Sequence, residues 1–360
     1  METYAQRSIR HCLDMIAPFE ASEPSAETGQ RQFYQFMTSL YQGMYEEPEA
    51  YLVFPAPYEA HMARSKQKTA SGKKEKEHVT DARESTLRNT FQQAIQFYAT
   101  YFYQLGLNSA GLEESTGALV ISQEEYEGVL GRMNRFHGAE HNAGRYRVLE
   151  KLGVRIHGGE GFIHVVHEKY DRAMIGLLYL CQAPDSKYKW MNYLRLDYKN
   201  AYSPAPAVED ICRTLTEESA MLVKRLEDNL AGMKVRAKIK PLRGIVSDFK
   251  WKVEYTCKGK NICGFYADRE HFVLCVYFNH YENINAFAKV LFEEDRQLFL
   301  WFKEQFPERL CKCPSNRRVF FGEESRRICG LSNRAEVTDP GETDVENALR
   351  ILRKYRNITG

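Results

Sequence analysis

Two histidines and a glutamate in the segment 137–141 have the spacing of a metal site. His137, Glu140 and His141 fit the H-x-x-E-H pattern, in which two imidazoles one helical turn apart hold zinc and the glutamate polarises a water molecule. Gly138 weakens a helix at this point, and histidines packed at a helix end are the common explanation of so short a match. The pattern therefore gives a zinc-dependent hydrolase, with Glu140 as its catalytic residue, as an alternative function.

Cysteines near the carboxyl end could hold a structural zinc ion. Cys311, Cys313 and Cys329 would supply three thiolates to a tetrahedral site. The fourth ligand would be one of Cys257, Cys263 or His271. Structural zinc sites usually separate paired cysteines by about two to four residues. Because one residue separates Cys311 from Cys313, buried or unligated thiols are the competing interpretation.

A predicted β-hairpin carries three more histidines. A glycine-rich turn joins residues 154–157 to residues 162–167. With a loop over 158–161, His157 would lie opposite Phe162, and Arg155 would lie opposite His164. His157 and His164 would then share the polar face, while His167 would point away. This spacing disfavours a three-histidine metal site and predicts that the histidines lie at the surface.

Two stretches have the composition of a nucleic-acid-binding surface. The segment 187–202 interleaves basic and aromatic residues, with Lys189, Trp190 and Arg195 as candidate binding residues, and residues 193–198 alternate like a β-strand. Residues 233–260 carry nine lysines and arginines against two acidic residues. Single-stranded nucleic-acid binding is thus a second alternative function. An aromatic core with hydroxyl groups at its edges would give a similar composition.

The elements that must position these residues are clearest over 249–278, which predict a three-stranded antiparallel meander. Apolar residues occupy the odd positions from Phe249 to Cys257, with charged residues between them, as in a half-buried strand. Residues 262–267 and 272–278 follow after turns, and the latter run is almost continuously apolar. We therefore expect Trp251 to point inward and the lysines to face solvent. This part of the chain should be a covered sheet without a reactive cleft.

Helical periodicity fills most of the remaining chain. It predicts a helical stripe from Phe91 to Leu105, a helix capped by Ser122 with Glu125, and one long helix that starts at Val208 and ends at Gly232. It also predicts a helical face over 284–302 and a last helix capped by Thr343 with Glu346. Together the elements predict an α+β fold with antiparallel sheets covered by helices. The predicted regions are an N-terminal helical region (1–63), a charged linker (64–88), a central α+β domain (89–240) and a C-terminal α+β domain (241–360). The two α+β domains have a similar order of elements, and a duplication stays open.

The last third of the chain also resembles a known class of sequences. The segments WKVEYTCKGKNICGFYADREHFVLCVYF and RRICGLSNRAEVTDPGETDVENALRILRKYRN resemble the C-terminal part of uncharacterised bacterial proteins classed as domains of unknown function. The resemblance implies a compact α+β domain. It implies no catalytic residue.

Composition and the lack of a catalytic signature favour binding over turnover. The 360 residues are 43% hydrophobic with a formal net charge of +2, so the chain can bury a sizeable core and is not built mainly to hold polyanions. An odd number of cysteines, nine, within apolar patterns suits reduced thiols, and no run of apolar residues predicts a signal peptide or a membrane span. The sequence therefore predicts a cytoplasmic, non-catalytic binding module for a small molecule or a partner protein.

Overall fold

The computed structural model of the protein describes most of the chain. The described residues are 4–53, 95–113, 115–135, 139–203, 205–213, 215–240, 251–267, 272–278, 280–306, 308, 316–329 and 333–359. They divide into two compact units, one reaching Ala205 and the other beginning at Pro206.

The first unit combines helices with a small antiparallel sheet. Its helices are α1 (Tyr4–Met15), α2 (Glu27–Glu46), α3 (95–107), α4 (Gln123–Met133), α5 (Asn142–Lys151), α6 (Ala173–Gln182) and α7 (Lys189–Leu194). Its strands are β1 (Gly111–Leu112), β2 (Leu119–Ser122), β3 (Val154–Gly159) and β4 (Phe162–His167), in the order β1-β2-β4-β3. Ser122 caps α4 as predicted, because its side chain accepts a hydrogen bond from the backbone N–H of Glu125.

Buried aromatic side chains form the core of the first unit. The part of the predicted helical stripe that lies within α3 is buried and faces α2, where Phe102 lies 5.2 Å from Phe36 and 6.3 Å from Phe33 between ring centroids. α2 also packs closely against α6, since a side chain at Gly29 or Gly176 would clash with the opposite helix. The predicted N-terminal helical region therefore shares one core with the predicted central domain.

The second unit contains a larger antiparallel sheet with helices. Its helices are α8 (Val208–Cys212), α9 (Glu217–Leu230), α10 (Tyr281–Glu294), α11 (Arg296–Glu304) and α12 (Glu342–Thr359). Strands β5 (Arg236–Lys240), β6 (Trp251–Cys257), β7 (Lys260–Ala267), β8 (Phe272–Tyr277) and β11 (Arg334–Thr338) form a five-stranded sheet in the order β11-β8-β7-β6-β5. Strands β9 (Asn316–Phe321) and β10 (Glu324–Cys329) form a separate two-stranded ribbon.

The predicted meander is confirmed as β6, β7 and β8. Trp251, Val253 and Tyr255 are buried on one face of β6, and β8 is buried almost throughout. Aromatic residues of the helices cover this apolar face, as Tyr355 of α12 lies 4.9 Å from Phe278 between ring centroids. The antiparallel sheets and surrounding helices confirm the predicted α+β class.

Several predicted elements differ from the structure because polar groups interrupt them. The predicted long helix divides into α8 and α9, since the side chain of Thr216 accepts a hydrogen bond from the backbone N–H of Ser219 and starts a new helix. The predicted face over 284–302 divides at Asp295, which caps α11 in the same way through Leu298. Thr343 lies inside α12 instead of capping it.

The boundary between the units also differs from the predicted domain boundary at 240. β5 pairs with β6 from Arg236–Thr256 to Lys240–Lys252, so it belongs to the second unit. The predicted linker 64–88 lies outside the described residues.

Candidate functional site

One face of the five-stranded sheet carries charged and aromatic side chains. Successive side chains of a strand point to opposite faces, and residues paired across strands share a face. One row runs from Lys238 through Glu254, Gly264 and Cys275 to Glu336. The next row on the same face runs through Lys240, Lys252, Tyr266, Val273 and Thr338. We call this surface the charged sheet face, with the residues Arg236, Lys238, Lys240, Lys252, Glu254, Tyr266, Cys275, Tyr277, Arg334 and Glu336.

Glu254 is a buried carboxylate at the middle of the charged sheet face. The residue is only 3% exposed, and its Oε1 lies 2.9 Å from Nζ of both Lys240 and Lys252. Burial alone would raise the pKa of Glu254, but the hydrogen bonds from the two lysines outweigh burial and lower that pKa. The ionised carboxylate therefore holds two partly exposed ammonium groups in place at the surface.

Tyr266 places an aromatic ring beside two cations. Nζ of Lys252 lies 4.8 Å from the ring centroid, and Cζ of Arg334 lies 5.2 Å from it. Arg334 also donates a hydrogen bond of 2.7 Å from Nη1 to the tyrosine hydroxyl and one of 2.6 Å from Nε to Oε1 of Glu336. The ring is thus held by its hydroxyl group between cationic side chains of β6 and β11.

The middle of the charged sheet face offers no activated nucleophile. Cys275 is fully buried, and burial raises the pKa of its thiol to about 12. At neutral pH this thiol stays protonated, whereas the thiolate is the nucleophilic form. Gly264 pairs with Cys275, and an added Cβ would lie 3.4 Å from Cε2 of Tyr277. The arrangement suits contact with a flat ligand better than covalent catalysis.

The charge on this face is positive and partly available to a ligand. Five basic side chains and two carboxylates give it a formal net charge of +3. Arg236 and Lys238, on the edge strand β5, are exposed and make no ion pair with another residue in the described ranges. Together with Tyr266, they offer what a phosphate-bearing aromatic ligand requires: cations for its charge and a ring for stacking.

The predicted H-x-x-E-H motif is only partly within the described residues. His137 lies outside them, and Glu140 and His141 lie in a short 3-10 helix that precedes α5. The Glu140 side chain is 73% exposed, with Oε1 3.6 Å from Nε2 of His141. A carboxylate with this exposure does not lie in an enclosed cleft of the kind that usually forms a substrate site.

The predicted cysteine site also lies mainly outside the described residues. Cys311 and Cys313 are not among them, and Cys329 ends β10 without a described side-chain placement. Of the alternative fourth ligands, Cys263 is fully buried and Cys257 is half-buried. Within the part of the chain that the structure describes, no three or more His, Cys, Asp or Glu side chains form a group able to hold a metal ion.

The predicted nucleic-acid residues Lys189, Trp190 and Arg195 do not form an open binding surface. Residues 189–194 are helical, so the predicted strand over 193–198 is wrong. Trp190 packs against Tyr103, with 4.7 Å between ring centroids. Arg195 is buried, and its Nη1 donates a hydrogen bond of 2.9 Å to the equally buried Asp197. Most aromatic side chains of this segment pack into the core, so they do not alternate with basic side chains on an exposed surface.

The hairpin histidines are correctly placed in β3 and β4, but their predicted register is wrong. A two-residue turn, Glu160-Gly161, replaces the expected four-residue loop, so His157 lies opposite His164 and Arg155 lies opposite Val166. His157 and His164 share a face, as predicted. His167 points to the other face, as predicted, but it is buried in the core.

Only part of the signal for the charged sheet face is visible in the amino-acid sequence. The basic stretch 233–260 and the alternation in β6 were visible, and they include Lys240, Lys252 and Glu254. Arg334 and Tyr266 are 68 residues apart in sequence and meet because β11 pairs with β8. Their individual patterns do not specify this pairing, so the site was missed.

Comparisons with protein-family models, with curated proteins and with solved structures give no match for this chain. The resemblance of the last third to domains of unknown function therefore stays a prediction. Among the helices in the described ranges, none has the length and apolar character needed to cross a membrane.

Proposed function

We propose that this protein binds single-stranded nucleic acid on the charged sheet face, without chemical turnover. The observation that carries the proposal is the Tyr266 ring held between Lys252 and Arg334 on a partly exposed, net positive sheet surface. Bases stack on aromatic rings of open sheets, while neighbouring cations contact the phosphates. This is the alternative function that the basic stretch 233–260 predicts, and it replaces the predicted binding of a small molecule or a partner protein.

The geometry of the charged sheet face favours single-stranded nucleic acid over the other predicted ligands. A small molecule usually occupies a concave pocket that buries most of its surface, whereas the charged sheet face extends across five strands. A partner protein would be expected to meet a more apolar centre with fewer charges. A cytoplasmic location is part of the proposal and is supported by the free thiols of the described cysteines.

The proposal is tested by fluorescence anisotropy with a labelled single-stranded oligonucleotide of about 20 nucleotides, longer than typical sites of ~4–16 nucleotides. The test variant combines Arg236→Gln and Lys238→Gln, which remove two exposed charges from β5. The logarithm of the affinity falls with the logarithm of salt concentration by about 0.7 per neutralised phosphate for single strands. We therefore expect the double variant to bind more weakly and to lower this slope by about 1.4.

A matched control distinguishes the effect of charge lost from the charged sheet face from the effect of a lower total charge. Lys224→Gln with Lys289→Gln removes two exposed lysines from the helices α9 and α10 of the same unit. This control should keep the salt slope of the wild type. An identical slope in the wild type and in the β5 double variant would reject the charged sheet face as the phosphate-contacting surface.

Tyr266 provides an independent test of stacking. Tyr266→Leu removes the ring and should weaken binding by about 1–3 kcal/mol, whereas Tyr266→Phe keeps the ring and should bind nearly as the wild type does. Thermal unfolding checks that both variants are folded, since both lose the hydrogen bond from Arg334. Equal binding by the leucine and phenylalanine variants would contradict base stacking on this residue.

A further inference from the structure

The β9–β10 ribbon brings two arginines together on one exposed surface. Arg318 lies directly opposite Arg327, and Phe320 lies opposite Ser325. Val319 and Phe321 are buried, so the alternate residues Arg318 and Phe320 point away from the core. Phe320 is 54% exposed, the largest exposed fraction among the aromatic side chains described as exposed. We call the set Arg318, Phe320, Ser325 and Arg327 the ribbon face.

The arginine pair has an unfavourable geometry in the absence of an anion. A two-residue turn, Gly322-Glu323, joins the strands, so the flanking residues Phe321 and Glu324 form a hydrogen-bonded pair. Hydrogen-bonded and non-hydrogen-bonded pairs alternate along an antiparallel ladder. Arg318 and Arg327, three pairs further from the turn, therefore form a non-hydrogen-bonded pair, in which the side chains lie closer together. Like charges directly opposite each other destabilise a β-pair. A bound anion would reverse this effect.

One carboxylate lies beside this pair without forming an ion pair with it, because Oε2 of Glu308 accepts a hydrogen bond of 2.6 Å from the backbone N–H of Arg327. Nη1 of Arg318 donates a hydrogen bond of 2.8 Å to the hydroxyl oxygen of Ser325, which is neutral. Within the described ranges, neither Arg318 nor Arg327 forms a side-chain ion pair. Glu324 is already engaged by Lys303 and by Arg326, with 3.9 Å between its Oε2 and Nη2 of Arg326.

We propose that the ribbon face is a second nucleic-acid contact, in which Arg318 and Arg327 bind a phosphate together and Phe320 stacks on an adjacent base. Guanidinium groups match phosphate oxygens with several donors, and an exposed ring provides a sequence-tolerant stacking surface. The choice of ligand rests on the proposed function, whereas the site itself rests on a different sheet and different residues. Charge complementarity selects the phosphodiester strand as the occupant.

The test measures oligonucleotide binding by the full chain carrying Arg318→Gln with Arg327→Gln. The same labelled single strand is used, with Lys224→Gln and Lys289→Gln as the charge-matched control. We expect the ribbon variant to lower the salt slope by about 1.4 beyond the control, because two phosphate contacts are lost. The ribbon variant should be at least as stable as the wild type in thermal unfolding, since it removes like-charge repulsion.

Phe320 separates stacking from electrostatic attraction. Phe320→Ala should reduce affinity about tenfold, while Phe320→Tyr keeps a ring and should bind within about twofold of the wild type. Equal affinities of these two variants would overturn the stacking role. Binding to vesicles that contain phosphatidylserine, with loss of that binding in Phe320→Ala and no loss of oligonucleotide binding, would identify a membrane surface and overturn the inference.

Combining the two sets of variants distinguishes the two proposals. If the ribbon variants bind as the wild type while the β5 double variant binds weakly, the ribbon contact is rejected and the charged sheet face stands. If only the ribbon variants lose binding, the charged sheet face is rejected and the ribbon contact stands. Unchanged binding in both sets would overturn both proposals.

Discussion

His167 is a histidine in the core of the first unit, only 2% exposed. Its Nδ1 accepts hydrogen bonds from the backbone N–H groups of Lys169 (3.1 Å) and Tyr170 (3.2 Å), and its ring centroid lies 4.6 Å from that of Phe36. Nε2 has no hydrogen-bond partner among the residues that the structure describes. Burial lowers the pKa of His167 to about 4, so the imidazole is neutral at physiological pH.

The depressed pKa of His167 couples stability to pH. The unfolded chain binds the proton near the ordinary histidine pKa of about 6.5, whereas the folded chain binds it only near a pKa of about 4. The contribution of the neutral His167 side chain to the free energy of unfolding is therefore complete above about pH 6.5, and it is lost as the pH falls towards 4.

We predict that His167→Asn, which keeps an acceptor near Nδ1 but does not titrate, flattens this pH dependence. Between pH 7 and pH 5, the wild type should lose about 2 kcal/mol more free energy of unfolding than the variant. Urea unfolding at the two pH values measures the difference. His164→Asn, at a partly exposed position of the same strand, should follow the wild type. Equal losses in the wild type and in His167→Asn would show that folding does not lower the pKa of His167.

At the scale of elements, local polar groups decide where helices begin, and backbone spacing decides how strands meet. Thr216 ends the continuity of the predicted long helix, because a side-chain cap satisfies the free N–H of a new first turn. Gly264 lies where β7 approaches the backbone of β6 closely. Neither effect depends on the apolar periodicity from which the elements were predicted.

Replacing the cap of α9 should destabilise the second unit. We predict that Thr216→Ala lowers the free energy of unfolding by about 1 kcal/mol and that Thr216→Ser restores most of it. Thr343→Ala is the matched comparison, since Thr343 is exposed inside α12 and alanine favours helices. Chemical denaturation of the three variants gives the order. A loss of stability in Thr343→Ala as large as in Thr216→Ala would contradict the observed start of α12.

Gly264 should tolerate no side chain. An added Cβ would clash with the backbone carbonyl oxygen of Val253 and lie 3.2 Å from Cα of Glu254, so β6 and β7 would have to move apart. We predict that Gly264→Ala lowers the free energy of unfolding by about 1–3 kcal/mol. Gly159→Ala, on the edge strand β3 with open space around the added Cβ, should be neutral or stabilising. Thermal or urea unfolding that ranks the two variants equally would argue against a close approach at Gly264.

At the scale of the whole molecule, each unit has its own buried thiols. Cys12 and Cys181 are buried in the first unit, and Cys263 and Cys275 are buried in the second. Burial raises the pKa of Cys181, Cys263 and Cys275, which lowers the reactive thiolate fraction. Thiol reactivity therefore reports whether each unit is folded.

We predict that these four cysteines react with iodoacetamide more than about tenfold more slowly than the half-buried Cys257 in the native protein. With increasing urea, Cys12 and Cys181 should lose protection at one concentration, and Cys263 and Cys275 should do so together, because a compact unit unfolds cooperatively. Mass spectrometry of labelled peptides measures each site. Loss of protection at different concentrations for two cysteines of one unit would contradict this division of the chain.

The sequence by itself determined the α+β class, the meander, the hairpin positions and the cap at Ser122. These features depend on the period of apolar residues or on a side chain a few residues away, and both are visible in a short window. It also indicated the basic residues of β5 and β6. The function itself, and the metal ligands His137, Cys311 and Cys313, stay predictions.

Only the tertiary structure decided which of these residues meet. β11 pairs with β8 and brings Arg334 to Tyr266, and the core encloses Arg195 and His167, which the sequence placed at the surface. Pairing between distant strands depends on the packing of both faces and on loop closure across many residues, neither of which a local pattern encodes. For this reason the charged sheet face could be recognised only after the five strands were in place.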